Sequence, residues 1–418
     1  MLHRILAGLL CLVLVAAPLP LSACGTTIQS ENLMEGVQQQ NALLLSTART
    51  QEETEAIADF DVRLFQSGSA SGESALISPL SVLCALAMTA NGANGETLSQ
   101  MEQVFGLSDE ELNNFLGAYL SNLPSSDKYK VSVANSIWLK DDDTLTVNPS
   151  FLQQNANYYG ASVYRAAFDN TTPKDINAWV SDYTNGMVDH ILDNIPKDAV
   201  IYLINALSFD AQWEEVYNES QVEDGIFTME SGETQTASMM YGTEYRYLDD
   251  GSATGFIKYY ADRSYAFVAL LPNEGISVSD YVASLTGEGM MNMLSQAEDT
   301  TVRTAIPKFQ CEYSVEMSDI LKNMGITDAF DAGKADFSGL GQSENGALFI
   351  SHILHKAYIA VEENGTRAGA ATAIEIDATS APNENPKTVY LNRPFVYMLI
   401  DCETNLPLFI GTEMTVSQ

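Results

Sequence analysis

Four histidines, five cysteines and one S-x-x-K string are the residues here whose types could support covalent or metal chemistry. Ser125-Ser126-Asp127-Lys128 has the spacing of a serine nucleophile with a lysine base. It follows Pro124 in a polar turn, however, and no Lys-Thr-Gly accompanies it. His3 lies in an apolar amino-terminal run, and His190, His352 and His355 lack the spacing to cysteines or carboxylates that holds zinc. His355 sits within a strand-like run, where a hydrogen-bonded core imidazole is the default and a general base the exception. No HExxH, G-x-S-x-G or Gly-rich nucleotide loop occurs. The chain is therefore expected not to be an enzyme, and no cofactor or metal is expected. Cys84, Cys311 and Cys402 stand in apolar or strand-like contexts without a CxxC, and an odd number cannot all pair, so free thiols are expected.

A different kind of chemistry is suggested by ENGTRAGAATAIEIDATSAP, residues 363–382. Read with a period of two, one face carries Thr366, Ala368, Ala370, Thr372, Ile374, Ile376 and Ala378. The other carries Arg367, Gly369, Ala371, Ala373, Glu375, Asp377 and Thr379. One small or apolar face and one that ends in polar residues is the alternation of a strand buried on one side. No proline interrupts it before Pro382. Yet Ala, Gly and Thr bury little area and do not hold a strand in place by themselves. Composition alone describes an Ala-rich surface loop; the alternation adds a second reading, a segment that lives as a loop and can become a strand.

The remainder of the chain must position that segment. Its 418 residues are 46 % hydrophobic, ample for one large core. His3 and Arg4 precede an apolar run from Ile5 to Leu21, ending in Leu21-Ser22-Ala23-Cys24. Residues 1–23 are expected to be a secretory signal, too short for a stable membrane span. The last four residues resemble a bacterial lipobox, which implies cleavage before Cys24 and lipidation of its thiol; plain signal-peptidase cleavage at the same place is the alternative. The acyl chains would hold the protein on a bacterial cell surface without a membrane helix. Residues 24–50 read as a polar tether and 51–418 as one domain. With 55 acidic against 20 basic residues the formal charge is −35, which repels nucleic acid and anionic lipid head groups. A monomer without nucleic-acid partners is expected.

Helical periodicity begins at Glu52, with Ile57, Phe60, Leu64 and Phe65 on one side. Ser78 can cap and Pro79 can open a helix apolar almost all round, hence buried, that stops at Asn91-Gly92. Further helices are expected over 97–105, 110–122 and 173–186, and one over 315–326 that stops at Gly325. Strands are expected over 131–140, over 199–217 with Asn205 in its middle and Trp213 near its end, and repeatedly from residue 226 onward. Helices early and strands late favour α+β over a repeating βαβ fold.

From about residue 52 to the end, the chain resembles the serpins. ISPLSV, ALAMTANGANGET, ANSIWLK, INAWVSDYTNG, LINALSFDAQW, IPKF, LKNMGITDAF, HKAYIAVEENGTRAGA, NRPFVYMLI and PLFIGT occur in the family's order. The resemblance implies three β-sheets, about nine helices and an exposed reactive-centre loop, here about 363–390. It also implies a suicide-substrate inhibitor of serine proteases: the loop is cleaved, an acyl-enzyme forms, and the freed segment inserts into the central sheet. Glu363 then corresponds to the hinge glutamate and Lys308 to its partner. Gly365, Thr366, Ala368, Ala370 and Thr372 fall in the hinge. Ser78, Ser81, Asn205 and His355 correspond to a polar cluster where strands part, and Trp213 to the tryptophan at the insertion entrance. Counting from Glu363 puts the reactive bond at Thr379-Ser380, and small residues there suit elastase- or subtilisin-like proteases. Two departures stand out: Arg367 replaces the usual glutamate, and the arm 380–393 is longer than usual. The alternative is a non-inhibitory serpin, a cell-surface binding module whose loop never inserts.

Overall fold

Ser78 accepts a hydrogen bond from the Ser81 amide and Pro79 takes the first helical position, so the helix Pro79–Ala90 starts where the sequence signals it. All twelve of its residues are buried, as an all-round apolar helix requires. The computed structural model describes residues 28–39, 49–69, 72–124, 126–366 and 385–416. Residues 1–23, Cys24, Ala368, Ala370, Thr372, Thr379 and Ser380 lie outside the described residues. Among the described residues are nine α-helices and three sheets, in the α+β arrangement expected.

The large sheet runs in the order Glu31–Asn32, Ser162–Ala166, Tyr129–Lys140, Ile201–Gln212, Gly365–Thr366, Ile350–Glu362, Phe309–Glu316. Tyr129–Lys140 and Ile201–Gln212 pair antiparallel from Tyr129↔Ala211 to Leu139↔Ile201. Ile137, Trp138 and Leu139 are consecutive and all buried, because both faces of this sheet are covered. One face meets the main core. On the other lies the helix Thr172–Tyr183, whose Ile176, Trp179 and Val180 join Trp138, Tyr202 and Ile204 in a second apolar cluster.

The second sheet has nine strands, among them Ala253–Tyr259, Tyr265–Pro272, Phe395–Asp401 and Pro407–Glu413. The third is a short pair, Gly341–Gln342 with Thr146–Val147.

Three findings differ from the sequence reading. Residues 28–39 fall in the stretch read as a tether, yet Glu31–Asn32 pairs with Arg165 and Tyr164, and the Asp175 carboxylate accepts from the Ser30 amide at 2.8 Å and the Ser30 hydroxyl at 2.7 Å. A two-residue strand is too short to leave a period. The run expected as a strand over 199–217 ends at Gln212. The helices Pro149–Tyr159, Val278–Ser284 and Gly287–Ser295 were not expected from the sequence.

Candidate functional site

The strands Ile201–Gln212 and Ile350–Glu362 run parallel and pair only from Ile350↔Ile201 to Lys356↔Ala206. Beyond that fork they separate. No ladder pair among the described residues joins 207–210 to 357–360, although each strand keeps its outer neighbour. At the far end Gly365 and Thr366 fill the opening: Gly365 pairs with Gln212 and Glu362, and Thr366 with Ala211 and Val361.

The polar cluster expected from Ser78, Ser81, Asn205 and His355 sits at the fork, and all four residues are fully buried. His355 Nδ1 donates to Asn205 Oδ1 at 2.5 Å, and its Nε2 accepts from the Ser78 amide at 3.1 Å. That arrangement fits the neutral ring with its proton on Nδ1, since a second proton on Nε2 would face the Ser78 N–H. Burial pushes the imidazole down to about 3. Ser81 Oγ donates to the same Asn205 oxygen at 3.4 Å, and Asn205 Nδ2 has no partner among the described residues. A cluster so dependent on one carbonyl oxygen holds the two strands together just before they part.

At the other end, three successive carbonyls are gripped by one short segment. Trp213 Nε1 donates to the Glu362 oxygen at 2.8 Å, the Tyr217 amide to Glu363 at 3.0 Å, and the Trp213 amide to Asn364 at 2.9 Å. Lys308 Nζ lies 2.9 Å from the Glu363 carboxylate. Burial raises that carboxyl, but the hydrogen bond and charge of Lys308 outweigh it and hold the group below its ordinary range. Gly365 has φ +155°, and a Cβ there would lie 2.0 Å from the Ala211 carbonyl oxygen, so only glycine fits so close to that strand. Thr366 is 1 % exposed, facing inward as the period of two requires, with its hydroxyl 2.5 Å from that of Tyr260. Trp213 stacks on the Tyr260 ring at 4.3 Å, and Lys258 Nζ lies 5.3 Å from the Trp213 ring. Burial works to lower the Lys258 ammonium, and the Glu244 carboxylate at 2.8 Å more than offsets it.

The arrangement is a mechanical site: two strands parted along four residues, a started strand at the mouth, and a polar clasp at the closed end. The sequence profile of the family Serpin (serine protease inhibitor) matches residues 55–416. The chain belongs to the serpin family. The native state of the thermophilic serpin tengpin superimposes with a TM-score of 0.87 at 45 % identity, covering 93 % of this chain and 100 % of that one. Tengpin in its latent state gives 0.79 at 42 % identity, covering 88 % and 99 %. An uncharacterized serpin-like protein of Thermococcus kodakarensis is 28 % identical over 368 residues, 86 % of this chain and 84 % of its own. Serpins are generally protease inhibitors that act through a reactive loop.

One expectation is corrected. The exclusion of an enzyme does not stand, because membership of an inhibitor family describes what serpins generally do and does not show that this serpin lacks catalysis. A second reading changes as well. Thr366 was read as part of a segment that lives as a loop, and it is already paired on both sides. Tyr260, Lys258 and Glu244 were not singled out from the sequence: GFIKYY reads only as a strand end, and no spacing links it to Trp213 or to Thr366. Cys84 and Cys311 are buried free thiols, and Cys402 is half-buried and also free.

Proposed function

We propose that this serpin is a suicide-substrate inhibitor of serine proteases with shallow specificity pockets, of the elastase or subtilisin kind. The protease serine attacks the Thr379 carbonyl, the bond to Ser380 breaks to leave a new amino terminus, and Thr379 stays esterified to the enzyme. The segment freed at that end then adds to the large sheet. The observation that carries this reading is the parted sheet. By register, the 207–210 and 357–360 strands leave room for four residues after Thr366 before any existing ladder bond must break. The inward-facing neighbours of that slot are Leu207, Phe209, Ile359 and the small Ala357; the three large ones favour incoming residues as small as Ala368 and Ala370. Insertion of the thirteen residues 367–379 beyond the paired Thr366 would add on the order of 13 ladder bonds at about 1 kcal/mol each.

The test is a gel. Mixing with an elastase-like protease should give a covalent complex stable in SDS, and Thr379→Arg should redirect trapping toward trypsin-like enzymes. Clean cleavage of the wild type with active protease released would overturn the reading. Unchanged elastase-like trapping by Thr379→Arg would overturn the placement of the bond.

Export and anchoring belong to the same proposal: removal of residues 1–23, lipidation of Cys24 and residence on the outer surface of a bacterial cell. The support is the Leu21-Ser22-Ala23-Cys24 pattern. Among the described residues no helix is long and apolar enough to cross a membrane.

A further inference from the structure

The insertion mechanism begins with a strand that is already two residues long, and something must keep it there. Two residues of ladder are too few to persist alone, and a threonine buries little apolar area. The carbonyl grip from Trp213 and Tyr217 ends at Asn364. Past that point, the polar contact made by the Thr366 side chain is with Tyr260.

Tyr260 is well placed to be a fixed post. It follows the strand Ala253–Tyr259 of the second sheet, and its amide donates to the Tyr265 carbonyl at 3.0 Å across the tight turn. Its ring stacks on Trp213 with an interplanar angle of 12° and meets the Phe209 ring edge-on at 5.0 Å. Packed on both, and 0 % exposed, the ring has no room to follow the hinge outward. Its hydroxyl makes one hydrogen bond among the described residues, to Thr366. If the hinge withdraws, both hydroxyls give up this bond, and the Tyr260 hydroxyl does so at the end of a ring held by Trp213 and Phe209. The penalty therefore falls on the withdrawn state.

We infer that Tyr260 is a positioning residue: its hydroxyl holds Thr366 in the sheet before cleavage, so that insertion starts from a formed strand end. The consequence for inhibition rests on the insertion mechanism proposed above; the holding of the hinge does not.

The test compares the full chain with Tyr260→Phe, which keeps the stacked ring, and with Thr366→Val, which keeps the shape of the threonine. Amide hydrogen exchange over 363–366 is read in the uncleaved protein. Each variant should exchange roughly tenfold faster there, and the double variant no faster than either single one. Thr366→Ser, which keeps the hydroxyl, should stay near wild type. With an elastase-like protease, the same two variants should give more nicked chain per trapped enzyme, and Thr366→Ser should not. Wild-type exchange in Tyr260→Phe, or effects that simply add in the double variant, would overturn the assignment. Faster exchange with an unchanged ratio of nicked to trapped protein would overturn the step from hinge position to inhibition. If the wild type traps no protease, the proposed function fails, while the exchange result still decides whether Tyr260 holds the hinge.

Discussion

Acid should loosen the clasp at the fork, and the effect can be given a sign and a size. His355 is neutral, fully buried, and pushed down to about 3, against 6.5 for an imidazole in water. Between those values the unfolded chain binds a proton that the folded chain refuses, so stability rises with pH across that window. The contribution is complete above 6.5 and is lost progressively as the pH falls toward 3. At pH 4.5 the loss is about 3 kcal/mol, two decades of proton activity below the unfolded value. A single stability curve will not display it. Burial pushes Glu413 up to about 9, so the folded chain takes up a proton there that the unfolded chain does not. That gain, as pH falls below 9, has the opposite slope and offsets His355 between about 4.5 and 6.5.

The measurement is therefore a difference. His355→Gln cannot titrate and leaves Glu413 in place. At pH 7.5 the variant should be less stable by about 1–3 kcal/mol for the lost buried hydrogen bonds. At pH 4.5 the gap should close by about 3 kcal/mol, read from denaturant midpoints at equal slope. A gap that stays constant to within about 0.5 kcal/mol between the two pH values would refute the neutral, proton-excluding histidine at the fork.

Thr366→Arg should put a charge at a 1 % exposed position against the Tyr260 ring, at a cost of several kcal/mol (~3 or more), and turn the inhibitor into a substrate. Nicked variant, intact protease and no rise in melting temperature after cleavage are expected; trapping as efficient as wild type would sink loop insertion for this serpin. Cys24→Ala should release the protein from the membrane fraction into the medium, and retention of the variant would count against the lipid anchor.

Much of the fold was open to reading because single residues announced it. Ser78 and Pro79 signalled their helix, Ile57, Phe60, Leu64 and Phe65 marked the buried side of the first one, and the alternation that begins at Val131 marked Tyr129–Lys140. The candidate site was open in a narrower sense. Glu363 and Lys308 could be paired through family order, and their 2.9 Å contact across 55 residues is not something spacing can supply. The contact between Thr366 and Tyr260 spans 106 residues and was out of reach for the same reason. Period two placed Thr366 on the inward face correctly, but the state of the segment, loop or strand, is set elsewhere.

That division has a physical cause. A segment of large β-branched residues would gain enough on burial to sit in the sheet from the start, and a segment rich in charge would stay out after cleavage as well as before. Small residues gain little either way, so the difference between the two states is left to the groups that frame the opening. Those groups lie elsewhere in the chain: the Trp213 ring stacked on Tyr260 with the Lys258 ammonium 5.3 Å from it, the Lys308 ammonium on Glu363, and the Ala211 carbonyl that admits only glycine at 365. In the proposed mechanism a segment of small side chains leaves the control of its insertion to its neighbours, which is why the residues that frame this hinge lie outside the stretch whose composition first drew attention to it.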